Sequence, residues 1–163
     1  MYKRQIGGLF DDRGLAVDVD ILGNVVIGGY FEDTIDFNSS GSNGELIAAV
    51  GKDVFVAMYD NNGNFKWVKG IGGGGTEQCQ NLVLDDAGNT YFTGVYQGTA
   101  DLDPSSGVAN VTTAGGTDLF LIKLDVNGNY IWSGSMGGFS YDYVPGLDLD
   151  SLGNVYMLSL IHI

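Results

Sequence analysis

Apolar and polar positions alternate with a period of two along this chain, in short runs closed by glycine and asparagine. Leu15, Val17 and Val19 alternate with Ala16, Asp18 and Asp20, the pattern of a strand with one face turned inward. Asp20-Ile21-Leu22-Gly23-Asn24 follows. It places glycine where a tight turn needs positive φ, and Asp and Asn where they can hydrogen-bond the local backbone. Residues 25–31 are β-branched and aromatic and predict a second strand. Residues 54–59 and 65–69 predict a third and a fourth, joined by Asp60-Asn61-Asn62-Gly63-Asn64. Between the second and third, residues 32–52 read as a long connection carrying a small hairpin from 34–37 and 46–50. No helical period of useful length appears.

The same succession returns 65 residues later, with strands expected at 82–85, 90–96, 119–124 and 130–133. Its turns are Asp85-Asp86-Ala87-Gly88-Asn89 and Asp125-Val126-Asn127-Gly128-Asn129, and Trp132 repeats Trp67. A third round begins with 147–150, Ser151-Leu152-Gly153-Asn154 and 155–157. A fixed period of this size marks an array of supersecondary units that bury their faces against one another. The predicted class is all-β: one four-stranded antiparallel meander per 65-residue repeat, as in the blades of a β-propeller, in an incomplete ring. The expected division is the end of a preceding blade at 6–13, a first blade at 14–71, a second at 72–136 and the start of a third at 137–157. Strands packed on both faces explain why 54–59 and 119–124 are apolar almost throughout. Gly28, Gly29 and Gly94 lie inside strands and mark close approach by a neighbour, for which Trp67 or Trp132 is the expected partner. In such a meander the short turns share one rim. The long connections 32–52 and 97–117 share the other with the links 72–80 and 137–145.

Both ends leave the pattern abruptly. Tyr2 stands where Trp67 and Trp132 predict tryptophan, and Ser159 stands where Gly29 and Gly94 predict glycine. Residues 158–163 can be encoded by a DNA string whose reverse complement, started at GTG, reads Met1-Tyr2-Lys3-Arg4-Gln5. Residues 1–5 and 158–163 are therefore expected to be the translation of one DNA word, which resembles a transposase adapter, and stand outside the fold argument. His162, the one histidine, falls in that tail. On this reading the repeats are a piece of a longer array.

Composition narrows the functional classes. The net charge of −13 argues against nucleic acid and anionic membrane surfaces, which call for a basic patch. No apolar run approaches the roughly 20 residues of a spanning helix, so no membrane insertion is expected. Cys79 is alone, which excludes an intrachain disulfide and reads as a small buried residue. With 27 glycines and 2 prolines, the chain suits tight turns between strands rather than a linker.

The repeat reads Leu-x-Leu-Asp-x-x-Gly-Asn-x-Tyr-x-x-Gly from Leu82 to Gly94, then Gly-x-Asp-x-Phe-x-x-Lys-x-Asp-x-x-Gly-Asn-x-x-Trp from Gly116 to Trp132, then Gly-Gly. This resembles the bacterial β-propeller repeat known as SBBP. Asp101-Leu102-Asp103-Pro104 resembles that family's loop between second and third strands, and Met58 departs from the lysine it favours, seen at Lys123. The resemblance implies a large secreted or cell-surface bacterial protein, extracellular in location, without a uniform activity.

Candidate chemistry is sparse. Asp36-x-Asn38-x-Ser40-Gly41 matches the opening of an oxygen-ligand calcium loop, and Asp101-x-Asp103-x-Ser105 sits one period on. Neither has a glutamate at the twelfth position, where Ile47 and Thr112 stand, so the residues read equally as turn caps. Asp18, Asp148 and the series Asp20, Asp85, Asp150 could line a central channel as acid–base groups. Their recurrence favours a structural role, because an active site is normally unique. Tyr141 and Tyr143, with Phe139 nearby, could form a stacking patch for a sugar or peptide. The expected function is thus a non-enzymatic scaffold or a binding and adhesion platform, with no cofactor and no catalytic residue. Its expected partners are the remaining blades of its own chain and a protein or glycan ligand on the long-loop face. The alternative is a propeller domain of a secreted hydrolase or lyase whose catalytic residues lie elsewhere.

Overall fold

A computed structural model describes residues 5–39, 41 and 43–161. Met1 to Arg4, Ser40, Ser42, His162 and Ile163 lie outside the described residues. Ten strands follow one another: β1 (Arg13–Val19), β2 (Val25–Asp36), β3 (Glu45–Tyr59), β4 (Phe65–Gly73), β5 (Gln78–Leu84), β6 (Thr90–Asp101), β7 (Asn110–Leu124), β8 (Tyr130–Met136), β9 (Tyr143–Leu149) and β10 (Val155–Leu160). There is no helix among the described residues. β1 to β4 form one antiparallel meander and β5 to β8 a second. A short ladder, Gly72 with Asp101 and Gly73 with Ala100, ties β4 to β6. β9 and β10 form a separate hairpin. The first strands of successive units, β1, β5 and β9, lie beside one another. The chain is all-β, built of four-stranded blade-like meanders, and open rather than closed.

The turns form where the sequence places them, and one chemistry closes all five. Asp20, Asp60, Asp85, Asp125 and Asp150 each bond through the backbone to the Gly and Asn that follow. Each carboxylate also accepts two backbone amides on one oxygen and the Asn side-chain amide on the other. The glycines Gly23, Gly63, Gly88, Gly128 and Gly153 adopt φ of 77–81°, a conformation that strains any side chain. The Asn64 amide, first among its partners, holds the Asp60 carboxyl below the usual carboxylate range, and Asn154 does the same for Asp150. Removing such an acceptor takes away three hydrogen bonds that hold the turn closed. Asp85→Ala is expected to lower unfolding free energy by about 1–2 kcal/mol, read by urea denaturation.

Alternation along β3 sends residues to two faces, and both are covered. Val54, Val56 and Met58 join Val26, Trp67 and Ile71 against Cys79, Leu82, Phe92, Phe120 and Ile122 of the second meander. Phe55, Ala57 and Tyr59 pack with Phe31, Ile35 and Phe37 on the opposite face. A strand buried on both sides has no reason to alternate apolar with polar, which accounts for the apolar run.

Three expectations about local structure change. The connection 32–52 does carry the small hairpin read at 34–37 and 46–50, but it is mostly strand and continuous with its neighbours. β2 runs on to Asp36 and β3 begins at Glu45, with a bulge between Glu32 and Thr34 beyond which the ladder resumes at Thr34 with Ile47. The second unit repeats this with a bulge between Gln97 and Thr99, so only residues 102–109 remain as loop. Positive φ at Asp33 (61°), Gly51 (75°) and Gly98 (76°) makes the bend. The fourth strands reach Gly73 and Met136, longer than 65–69 and 130–133.

The in-strand glycines do not accommodate tryptophan. A Cβ on Gly29 or Gly94 would overlap the carbonyl of Arg13 or Gln78, because each faces a bulge in the neighbouring strand. A Cβ on Gly28 would meet Cys79 Sγ at 2.7 Å. The glycine beneath a tryptophan is Gly128, where a Cβ would lie 2.7 Å from the Trp67 ring.

Candidate functional site

The two proposed calcium loops are closed by their own backbone. Asp101, at the end of β6, accepts the amides of Asp103 (3.0 Å) and Ala109 (2.8 Å) on one oxygen. Asp103 accepts the amide of Ser105 (2.9 Å), and the Ser105 hydroxyl accepts that of Gly107 (3.1 Å). Leu102, fully buried, anchors the loop, and its amide bonds to the Ala109 carbonyl. In the first unit Asp36 accepts the amide of Asn38 (2.8 Å), and Phe37 bonds to Gly44. Ser40, the third member of that set, lies outside the described residues. Among the described residues no three or more His, Cys, Asp or Glu side chains gather in a way that could hold a metal ion.

The acids considered for catalysis sit at backbone amides too. Asp18 accepts the amides of Val19 (2.8 Å) and, across the seam, Leu84 (2.9 Å). Asp148 accepts that of Leu149 (2.8 Å). The Asp20, Asp85 and Asp150 series closes the short turns. Cys79 is fully buried, and burial pushes its thiol up to about 12, far from any nucleophilic thiolate.

The aromatic candidates are different. Phe139, Tyr141 and Tyr143 are 86%, 68% and 54% exposed. Phe139 and Tyr141 ride on the segment between β8 and β9, and Tyr143 opens β9. That segment is fastened to the start of the β7 main run, where the Gly116 amide bonds to Ser140 and the Asp142 amide to Thr117. Gly115 and Gly116 permit that approach, since a Cβ at either would press on Phe139, Ser140 or Tyr141. One period earlier the same positions hold Gly74, Thr76 and Gln78. Three exposed aromatics thus occur where the previous repeat has none. That departure from the repeat was available in the sequence as a comparison of the two links.

Sequence reasoning missed a second feature, the acids buried along the seams between units. Glu77 is fully buried, while Asp53, Asp118 and Asp142 are 4–5% exposed. Asp53 and Asp118 occupy the same place inside apolar strands β3 and β7, and the carboxylates accept the amides of Ala49 and Ala114 respectively (2.8 and 2.9 Å). An acid recurring once per period within an apolar run was the signal. Between the outer strands of the first unit and Pro104 of the second lies an open groove of about 430 Å³, lined by Phe31, Leu46, Asp53, Lys69 and Gly72.

Trp67 is buried and its indole Nε1 donates to the Val126 carbonyl (3.1 Å) in the β7–β8 turn. Trp132 holds the same place in the second unit but is 37% exposed, its ring edge-on to Tyr91. Trp67 therefore belongs to the core, whereas Trp132 has no corresponding turn over it.

No protein-family model matches the chain. The chain is similar to an uncharacterized WD repeat-containing protein of Acanthamoeba polyphaga mimivirus, at 22% identity over 188 residues. That alignment covers 96% of the chain and 13% of the relative, so the chain spans a small part of the relative's length. The likeness and the repeated meanders agree on a β-propeller-like repeat protein. Among the described residues no helix is long and apolar enough to cross a membrane.

Proposed function

We propose that the chain is a non-enzymatic binding platform, a stretch of propeller-like scaffold that presents Phe139, Tyr141 and Tyr143 to a glycan or protein ligand. The observation that carries this reading is the break in the repeat: three exposed aromatics replace Gly74, Thr76 and Gln78. Side chains that serve the scaffold recur, as the turn Asp-Asn pairs do. Large exposed rings on a segment held by backbone bonds offer apolar area at low entropic cost, and the tyrosines add a polar tip. The likeness to a WD repeat-containing protein supports a repeat scaffold. The SBBP-like motif from Gly116 to Trp132 supports a place in a large secreted or cell-surface bacterial protein. The test is a glycan array and a peptide array probed with the chain and with the Tyr141→Ala/Tyr143→Ala variant. Binding by the parent, weakened at least tenfold in the variant, is the expected result. Equal binding by both would remove the aromatic patch from the proposal.

A further inference from the structure

Two of the buried acids meet across the seam between the first and second meanders. Asp53 projects from β3, and Glu77 belongs to the link between β4 and β5. The Glu77 amide donates to the Lys52 carbonyl (2.6 Å), which pins the link beside β3. That bond sets Glu77 beside Asp53, the residue after Lys52, and each carboxyl acts on the other's protonation. Asp53 Oδ2 is satisfied by the Ala49 amide. Asp53 Oδ1 and both Glu77 oxygens are buried with no completed hydrogen bond. Gly72 makes room, because a Cβ there would overlap the Asp53 carboxyl.

Ionised carboxylates are acceptors only, so two of them in contact cannot satisfy each other. In a dry site both cannot remain charged without a compensating cation. Among the described residues no ion pair reaches either carboxyl. Asp53 is influenced by the Ala49 amide and Glu77, and Glu77 by Asp53 and the amides of Gln97 and Gly73. Lys52 turns its Nζ to Asp11 (3.0 Å) and Glu32 (3.8 Å). Lys69 shares the groove with Asp53 but is absent from the groups that shift it. Gly72 and Gly73 of β4 carry no ionisable side chain. Tyr96 of β6 interacts with Ser135 and Asp118, in the second unit.

We propose that Asp53 and Glu77 hold one proton between them at this seam, and that losing it as pH rises loosens the contact between the two meanders. A proton on Glu77 turns an unsatisfied contact into an O–H···O bond to Asp53 Oδ1. Burial first, and then the charge of Asp53, push Glu77 from its ordinary 4.5 up to about 8. Because the folded value is raised, the stabilisation is fully present below about 4.5 and is lost as pH climbs through about 8. Across that window unfolding releases one proton, so the folding equilibrium constant falls about tenfold per pH unit. The next seam is built differently. Asp142, one methylene shorter, stands in place of Glu77 and accepts the Gly138 amide at 2.8 Å.

The experiment is urea denaturation of the full chain between pH 5 and about 9.5, for the parent, Glu77→Gln and Asp142→Asn. The Gln amide donates to Asp53 at every pH. Glu77→Gln is therefore expected to remove about one proton's worth of slope and to exceed the parent in stability above pH 8. Asp142→Asn is expected to keep the parental slope. A parent with flat stability across the window, or a Glu77→Gln variant with the parental slope, overturns the proposal. If Glu77→Gln does not fold, the Glu77 ¹³Cδ resonance of the parent decides. Titration near 8 supports the shared proton, and titration near 4.5 refutes it.

Discussion

Trp67→Ala is expected to cost about 3–5 kcal/mol, and Trp132→Ala about 1 kcal/mol, although the two residues hold the same place in successive repeats. Trp67 is 8% exposed and belongs to the core shared by both meanders, whereas Trp132 is 37% exposed. Truncating Trp67 removes a large apolar surface and leaves a cavity that strands cannot close by small shifts. It also withdraws the donor to the Val126 carbonyl and uncovers the backbone at Gly128, where an added Cβ would press on the indole. The loss therefore falls on two units at once. Denaturation of both variants gives the energies. Amide exchange across residues 125–129 gives the location, with faster exchange expected in the Trp67 variant alone. Equal losses for the two tryptophans would mean that the seam is not the source of the difference.

Gly94→Ala is expected to be nearly as damaging. The added Cβ overlaps the Gln78 carbonyl and meets the Cys79 Cα at 3.0 Å. Both are main-chain atoms, so relief requires the bulge between Cys79 and Asn81 to open. Cys79 cannot move freely, because its Sγ sits over Gly28 of the first meander. A displacement of β5 is thereby passed to the seam. The expected loss is about 3 kcal/mol or more, whereas Gly134→Ala, where a Cβ meets nothing within 4 Å, should stay within about 0.5 kcal/mol. Thermal melts of the pair suffice. Similar melting temperatures would show that the bulge is softer than its geometry implies.

Local chemistry was legible from the chain, and chemistry between units was not. The Asp-x-x-Gly-Asn turns could be read because their donors and acceptors lie within five residues, and the described bonds match that reading. The apolar run 54–59 announced a strand with two covered faces for the same reason. The small hairpin at 34–37 and 46–50 was legible, but its continuity with β2 and β3 past the bulge at Glu32 was not, because the bend at Asp33 and Gly51 breaks the alternation. Its ladder pairs Asp36 with Glu45 and Thr34 with Ile47, beyond the reach of a local turn motif. The identity of the neighbour over each glycine was likewise non-local, since nothing near Gly29 in sequence points to the Arg13 carbonyl. The Asp53–Glu77 contact is the extreme case, with members in different elements and a partner one residue type away in the next repeat. In the candidate site, the exposure of Tyr141 and Tyr143 agrees with their reading as surface aromatics. Asp36, Asp101 and Asp103 accept nearby amides, in keeping with their reading as turn caps.

Each short turn closes on its own Asp and Asn, and the contact that joins Trp67 to the next unit ends on a main-chain carbonyl. Neither device depends on a side chain supplied from outside the repeat except the tryptophan itself, and the residue accepting its bond can be anything. A gene segment encoding one period can therefore be duplicated or lost whole without orphaning a turn cap or the acceptor of the tryptophan. For these two devices, arrays of this kind can change length by recombination at no cost. Singular features such as Phe139, Tyr141 and Tyr143 can then accumulate on one copy without disturbing the others.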